Sequence, residues 1–296
     1  MNKGIYYASF AALLWGFLAI AVKVALNEVS PITVSWLRFA IAFTILVVYY
    51  LSKKPSGFKI LTKPPKLAIV AGIALGLNYL GFIFGIQYTT PSIAQVFIQT
   101  GPVLLAISGF IFFKERISLR QGIGLIIVVL GMVIFYYEQI LNVAGGLNQY
   151  KLGVLFVLFG ALSWSVYAIF QKMAVKKHNP MELNLVIFGI PMLYYLPMVE
   201  FQQLRVLSFN NWLLMIFLGL NTLGAYGSLA YALKHLEANK ISVILTLNPL
   251  ITFATMALLA HYGVTWIAHE NYTLLTILGA TVVICGVILT VMKRKQ

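Results

Sequence analysis

The chain has 296 residues, 61% apolar and only 9% charged, with a net charge of +14. A soluble domain usually carries about 25% charged residues, so a cytosolic enzyme, a secreted domain and a disulfide scaffold are all excluded. A nucleic-acid partner fits the charge but not the hydropathy, and the basic loops of a membrane protein account for that charge.

A membrane helix needs roughly 20 mostly apolar residues, and ten such stretches follow one another along the chain. The first, 5–26, carries Trp15 near its middle and Lys23 near its end; it is too long for a cleaved signal peptide. A turn at Asn27–Pro31 leads into 32–51, where Arg38 lies about six residues in, or roughly 9 Å at 1.5 Å per residue. The basic stretch Ser52–Lys66 is expected to set topology and meet anionic lipid. Span 67–86 holds Gly72, Gly76, Gly81 and Gly85, a small-residue stripe for close helix packing, together with Asn78 and Tyr79.

After Thr89–Pro91 comes 92–113, with Gln95 and Gln99 four apart on one face and Pro102 beyond them. It ends in Lys114-Glu115-Arg116, and 119–137 follows. Span 152–174 carries Trp164, with Tyr167 and Gln171 on its face at spacings of three and seven, and Lys172 near the end. Lys176–Pro180 separates it from 182–199. Then come 210–232 with Tyr226 and Tyr231, 241–260 with Ser242 and Thr246 on one face and Asn248 before Pro249, and 271–292 with the lone Cys285. Long uninterrupted runs favour helices over the ~10-residue alternating strands of a membrane barrel.

Charge sets the expected orientation. With both termini cytoplasmic, sixteen Lys and Arg residues lie inside, only Lys151 and Arg205 outside, and Lys23, Arg38 and Lys172 within spans. An internal repeat is also legible. A shift of 149 brings Trp15 onto Trp164, Lys23 onto Lys172 and Pro31 onto Pro180. A shift of 147 brings Tyr79 onto Tyr226 and Pro102 onto Pro249. A shift of 155 brings Gly124 onto Gly279 and Gly131 onto Gly286, which implies an insertion of eight residues near Tyr262–Glu270. The expected fold is therefore an all-α polytopic membrane protein of ten transmembrane helices in two inverted five-helix repeats. The expected units are 1–137 and 152–296, joined by an inter-repeat loop at 138–151. An odd helix number inverts the second unit, and inverted repeats are the physical basis of alternating access.

Trp15-Gly16, Lys23, Pro31 and Arg38, with Phe113-Lys114-Glu115-Arg116-Ile117 and Gly122, Gly124 and Gly131, resemble the drug/metabolite transporter superfamily of EamA type over nearly the whole chain. That resemblance implies ten helices, a central cavity and export or exchange of small metabolites. It does not name the substrate. The second unit departs from it: His261-Tyr262-Gly263 stands where the first has Lys114-Glu115-Arg116, and Ile187 stands opposite Arg38.

The expected substrate-binding set is Trp15, Asn78, Tyr79, Gln95, Gln99, Trp164, Tyr167, Gln171, Tyr226, Tyr231, Ser242, Thr246 and Asn248. The polar stripes face each other across the two-fold axis or serve helix–helix hydrogen bonding. The prolines free backbone carbonyls that a cavity can use, and the rings offer stacking or cation–π faces or interfacial anchors. Lys23, Arg38, Glu115 and Lys172 are the charge and gating candidates. The two lysines are near enough to helix ends to snorkel. Arg38 binds a substrate carboxylate or pairs with Glu28. Glu115 pairs or caps a neighbouring helix. No catalytic residue, metal or cofactor is expected, and no glutamate sits mid-membrane for proton coupling.

The expected function is secondary transport of small metabolites, amino acids or similar, across the inner membrane by alternating access, with export as the expected direction; the partners are that substrate and membrane lipids. A monomer suffices and a dimer is compatible. The alternatives are a lipid-handling protein or flippase, and an exporter of quaternary amines or hydrophobic drugs.

Overall fold

A computed structural model describes residues 3–116, 118–145, 148–267 and 273–291. Ile117 of the quoted motif, residues 268–270 of the expected insertion, residues 271–272 of the expected last span and the basic Lys293–Lys295 lie outside the described residues. Among the described residues all regular structure is helical, and eight helices are long and apolar enough to cross a membrane. Two shorter apolar stretches, Leu119–Phe135 and Leu274–Thr290, accompany them.

The principal helices are α1 (Lys3–Ala25), α2 (Pro31–Lys53), α3 (Lys66–Tyr88), α4 (Pro91–Ile111), α5 (Leu119–Gly145), α6 (Asn148–Ala174), α7 (Pro180–Tyr195), α8 (Phe209–His235), α9 (Ala238–His261) and α10 (Leu274–Val291). Their starts follow from local chemistry. Ser30-Pro31, Thr90-Pro91 and Asn179-Pro180 each place proline at the first helical position, where its missing N–H costs nothing. Thr90 accepts from the Ile93 N–H, Asn179 from Met181 and Ser208 from Asn211, filling donors that a helix start leaves open.

Two expectations differ in detail. The segment 138–151, expected as a loop, is helical through Gly145 and again from Asn148. Glu138, Gln139 and Leu141 are good helix formers, and the first strong breaker is Gly145-Gly146. The spans 92–113 and 241–260 are not continuous helices. α4 divides into Pro91–Ile98 and Thr100–Ile111, and α9 into Ala238–Leu245 and Asn248–His261. Pro102 and Pro249 cause this, since proline cannot donate to the carbonyl four residues earlier.

The packing is inside-out relative to a soluble bundle. Along α1, Tyr6, Phe10, Leu13 and Phe17 are exposed in one stripe, while Ala8, Ala11, Ala12, Trp15 and Ala19 are buried on the other. Large apolar side chains face outward, as a bilayer permits, and small ones let helices approach. The chain is a multi-pass membrane protein. α1 packs along α8, α3 along α6, and α5 along α10; α7 lies against α2 and α3. The halves of α4 and α9 cross each other between α1 and α6.

α3 and α6 approach each other closely. A Cβ on Gly81 would stand 2.6 Å from the Gly160 nitrogen and 2.6 Å from the Phe156 carbonyl oxygen. At one end of the bundle Lys54 donates to Glu182 at 2.8 Å, joining the end of α2 to the start of α7. That bond holds the Lys54 ammonium above the usual lysine range.

Candidate functional site

The divided helices meet around a cavity of about 60 Å³ at the centre of the bundle. Its walls are Trp15 and Leu18 of α1, Asn78 and Phe82 of α3, Gln95, Ile98, Gln99 and Pro102 of α4, Trp164 of α6, Tyr226 of α8, and Leu245 and Asn248 of α9. The sequence selects seven of these as polar or aromatic candidates: Trp15, Asn78, Gln95, Gln99, Trp164, Tyr226 and Asn248.

Most of the polar walls are already committed to structure. Gln95 donates to the Trp15 carbonyl at 3.1 Å, tying α4 to α1. Asn78 donates to the Gly160 carbonyl at 3.0 Å and accepts from the Tyr226 hydroxyl at 3.3 Å, joining α3, α6 and α8. With its amide nitrogen turned inward, Asn248 donates to the carbonyls of Leu245 and Ala12, at 3.2 and 3.0 Å. It thereby fills the Leu245 carbonyl that Pro249 leaves without its i+4 donor. At the corresponding place in α4 stands Gly101, which has no side chain to do the same for Ile98.

Gln99 is the exception. It is 1% exposed, and neither its amide nitrogen nor its oxygen has a partner. An unsatisfied buried polar group costs about 1–3 kcal/mol, and on the cavity wall both ends of this amide are open to a polar group. The indole N–H groups of Trp15 and Trp164 likewise make no hydrogen bond among the described residues. Their rings meet edge to face at 6.1 Å, and Trp15 meets Tyr226 at 5.1 Å.

A second layer lies behind these walls. Tyr167 packs on Tyr226 at 5.4 Å, fully buried, with its hydroxyl unpartnered. Tyr79 packs on Tyr226 at 5.9 Å. Arg38, 2% exposed, donates from Nη2 to the Tyr79 hydroxyl and from Nε to Thr222 Oγ1, both at 3.1 Å. Its guanidinium lies 4.2 Å from the centre of the Tyr79 ring. The expected Arg38–Glu28 pair does not form: among the described residues no carboxylate lies within 4.0 Å of Arg38. Nor does Arg38 face the lipid, as a lateral path for a lipid headgroup would require.

Besides Tyr79 and Tyr167, which stand behind the walls, four more expected binding residues do not line the cavity. Gln171 donates to Asn184 at 2.9 Å, and Tyr231 stacks on Tyr7 at 5.2 Å. Ser242 and Thr246 turn back to their own helix, donating to the carbonyls of Ala238 and Val243. A helical serine or threonine has that local bond within reach, so sharing a face with a cavity residue does not fix where its hydroxyl goes.

Glu115 and the two lysines form the ends of the site. Lys23 donates to the carbonyls of Ile86 and Thr89 at 2.9 and 3.0 Å, capping the C-terminus of α3. Lys172 donates to the Leu236 carbonyl at 2.8 Å, capping α8 in the same manner. A cation at a helix C-terminus fills orphan carbonyls and meets the negative end of the dipole. Glu115 lies 3.4 Å from Lys172 and accepts from the backbone N–H groups of Ala238 and Asn239, at 2.7 and 3.2 Å. It both pairs and caps.

A signature of the EamA-like transporter family matches residues 2–137 and again 151–292. The chain belongs to the EamA-like transporter family. It is 33% identical over 294 residues to an uncharacterized transporter of Haemophilus influenzae, covering 99% of this chain and 95% of the relative. It is 30% identical over 286 residues to the uncharacterized inner membrane transporter YhbE of Escherichia coli, covering 96% and 89%. A solved crystal structure shares the fold at a TM-score of 0.75 and 17% identity, over 98% of both chains. In this family member the apolar walls Leu18, Phe82, Ile98 and Leu245 escape a search for polar side chains. Leu18 and Phe82 follow Trp15 and Asn78 by three and four residues, and Ile98 and Leu245 precede Pro102 and Pro249 by four. Helical spacing from the polar seeds is the signal that finds them.

Proposed function

We propose that the chain is a ten-helix secondary transporter of the inner membrane, with both termini cytoplasmic, in which two inverted five-helix repeats alternate access to the central cavity. The units are 1–137 and 152–296. Mirrored packing supports the reading: α1 pairs with α8 as α6 pairs with α3, while α5 pairs with α10. So do mirrored contacts. Lys23 and Thr89 lie 149 and 147 residues before Lys172 and Leu236, and the same carbonyl bond joins each pair. The break at Gln99 lies 147 residues before that at Thr246. The contacts of Lys54 with Glu182 and of Glu115 with Ala238 join only helix ends that the positive-inside orientation assigns to the cytoplasm. A pseudo-two-fold of this kind gives two near-equivalent arrangements, open to opposite sides.

The substrate is a small metabolite with an apolar or aromatic body and a polar head, and amino acids moved outward are the leading class. One observation carries this: the unsatisfied Gln99 amide in a cavity walled by Trp15 and Trp164, between broken helices from both halves. A space of about 60 Å³ holds only a few waters at ~10–15 Å³ each, so a bound metabolite requires the walls to part.

The test is a thermal-shift panel on the purified protein with amino acids, quaternary amines, sugars, nucleotides and hydrophobic cations. A ligand at 100 times its Kd stabilises the folded state by about 2.7 kcal/mol. The expected result is a shift confined to one class and lost in Trp164→Ala and Gln99→Ala, followed by counterflow of that ligand in liposomes. No shift from any class overturns the small-metabolite reading.

A further inference from the structure

Arg38 is the one charged side chain buried in the middle of the bundle around this cavity, and no carboxylate balances it among the described residues. Its hydrogen bonds run in one direction. Arg38 donates to Tyr79 and Thr222, the Tyr79 hydroxyl donates to Thr222 at 3.0 Å, and Thr222 donates to the Leu218 carbonyl at 2.9 Å. That chain takes up two of the guanidinium donors and leaves the charge in place. In a low-dielectric interior an unbalanced cation acts over longer distances than it does in water. The cavity wall Tyr226 is one ring away through Tyr79.

The cavity's other features agree in sign. No carboxylate lines it, and the indole N–H groups of Trp15 and Trp164 can only donate. Aromatic walls alone would suit an organic cation. Here Arg38 already covers one face of Tyr79, and its field opposes a second cation.

We infer that the central cavity selects its substrate by charge, accepting an amphiphile that carries a carboxylate and rejecting organic cations, with Arg38 as the specificity-determining residue acting from behind Tyr79. This rests on the proposed carrier reading and narrows its substrate class. Arg38 touches Tyr79 behind the cavity wall, and not the substrate.

The test compares three ligands with one ring and a similar chain: 3-phenylpropionate, phenylalanine and phenethylamine. Their binding to the full-length protein in nanodiscs is measured by calorimetry for the native chain, Arg38→Lys and Arg38→Gln. The native protein is expected to bind at least one of the two carboxylates ten times or more tighter than phenethylamine. Arg38→Lys keeps that preference. Arg38→Gln reduces it to threefold or less, a change that a purely structural loss, weakening all three ligands alike, does not produce. A preference unchanged in Arg38→Gln, or lost equally in Arg38→Lys, overturns the role of Arg38. If Arg38→Gln does not fold, the native ratio and Arg38→Lys still decide. A native preference for phenethylamine overturns charge selection while leaving the carrier reading intact. Binding of none of the three to the native protein overturns charge selection, and the carrier reading then stands or falls with the wider thermal-shift panel.

Discussion

Lys23 and Lys172 stand at opposite ends of the bundle and do the same local work, each closing the C-terminus of a neighbouring helix through its carbonyls. The surroundings differ. At the Lys172 end, Glu115 adds an ion pair and holds the first N–H groups of α9. At the Lys23 end, the residue corresponding to Glu115 is Tyr262, which is 76% exposed. The start of α4 needs no such visitor, because Pro91 has no N–H and Thr90 caps from within. At the start of α9 the cap residue is Glu237, whose side chain makes no capping bond, and Glu115 arrives from α4 instead. The Lys172 cap is therefore tied between the two halves of the chain through Glu115, while the Lys23 cap uses bonds within one half; elsewhere at that end Ser30 and Thr33 meet Gln203 and Glu200 across the halves. Pseudo-symmetry in the backbone does not require equal strength at the two ends.

The largest expected effect is from Glu115→Ala. It strands a buried lysine and two backbone donors, and breaking a buried pair costs about 3–5 kcal/mol. Denaturation of the purified protein should show that loss, and a loss below about 1 kcal/mol would erase the difference between the ends. Next come the lysines themselves. Lys172→Met should cost about 1–3 kcal/mol, since Glu115 keeps its backbone donors while one carbonyl loses its partner. Lys23→Met should cost less, because Lys23 is half-buried and has no ion pair to lose. Equal losses in the two variants would show that Glu115 adds nothing to Lys172.

A smaller effect is expected at the central breaks. Gln99→Leu removes an unsatisfied amide and should leave stability unchanged or raise it by up to about 1 kcal/mol, while weakening whatever ligand the thermal-shift panel identifies. A destabilised Gln99→Leu protein that binds that ligand normally would mean that the amide serves structure instead. Smallest is Tyr262→Glu, which restores the missing carboxylate at the Lys23 end. With the α4 start already capped, the unfolding midpoint should move by less than the equivalent of about 0.5 kcal/mol, the scale of an ordinary surface substitution. A clear rise would mean that a second latch forms wherever the acid is supplied.

Much of the site was legible before any coordinates. Trp15, Trp164, Gln95, Gln99, Asn78, Tyr226 and Asn248 stand out as polar or aromatic residues within apolar spans, and the structure brings them to one cavity. Three of the residues that strayed share a cause. Gln171, Ser242 and Thr246 sit on plausible faces, but a hydrogen bond nearer than the cavity takes each side chain: Asn184 for Gln171, and their own helix for the other two. Facial spacing fixes a direction from the helix axis and says nothing of competing partners. Arg38 shows the reverse case. Its depth marks it as unusual, while its partners Tyr79 and Thr222 lie 41 and 184 residues away and carry no sequence signal of that pairing.

By itself the sequence determined the membrane setting, the helical class and the helix starts marked by proline and capping residues. Those depend on apolar length, on proline's missing N–H and on capping side chains, all properties of a few neighbouring residues. Only the tertiary structure decided that Glu115 crosses to α9, that Gln99 is left open while Gln95 is not, and that Arg38 stands without a carboxylate. Each depends on which distant helix end or side chain arrives within about 3 Å, and hydrogen bonds and ion pairs of that kind lose their strength steeply beyond it.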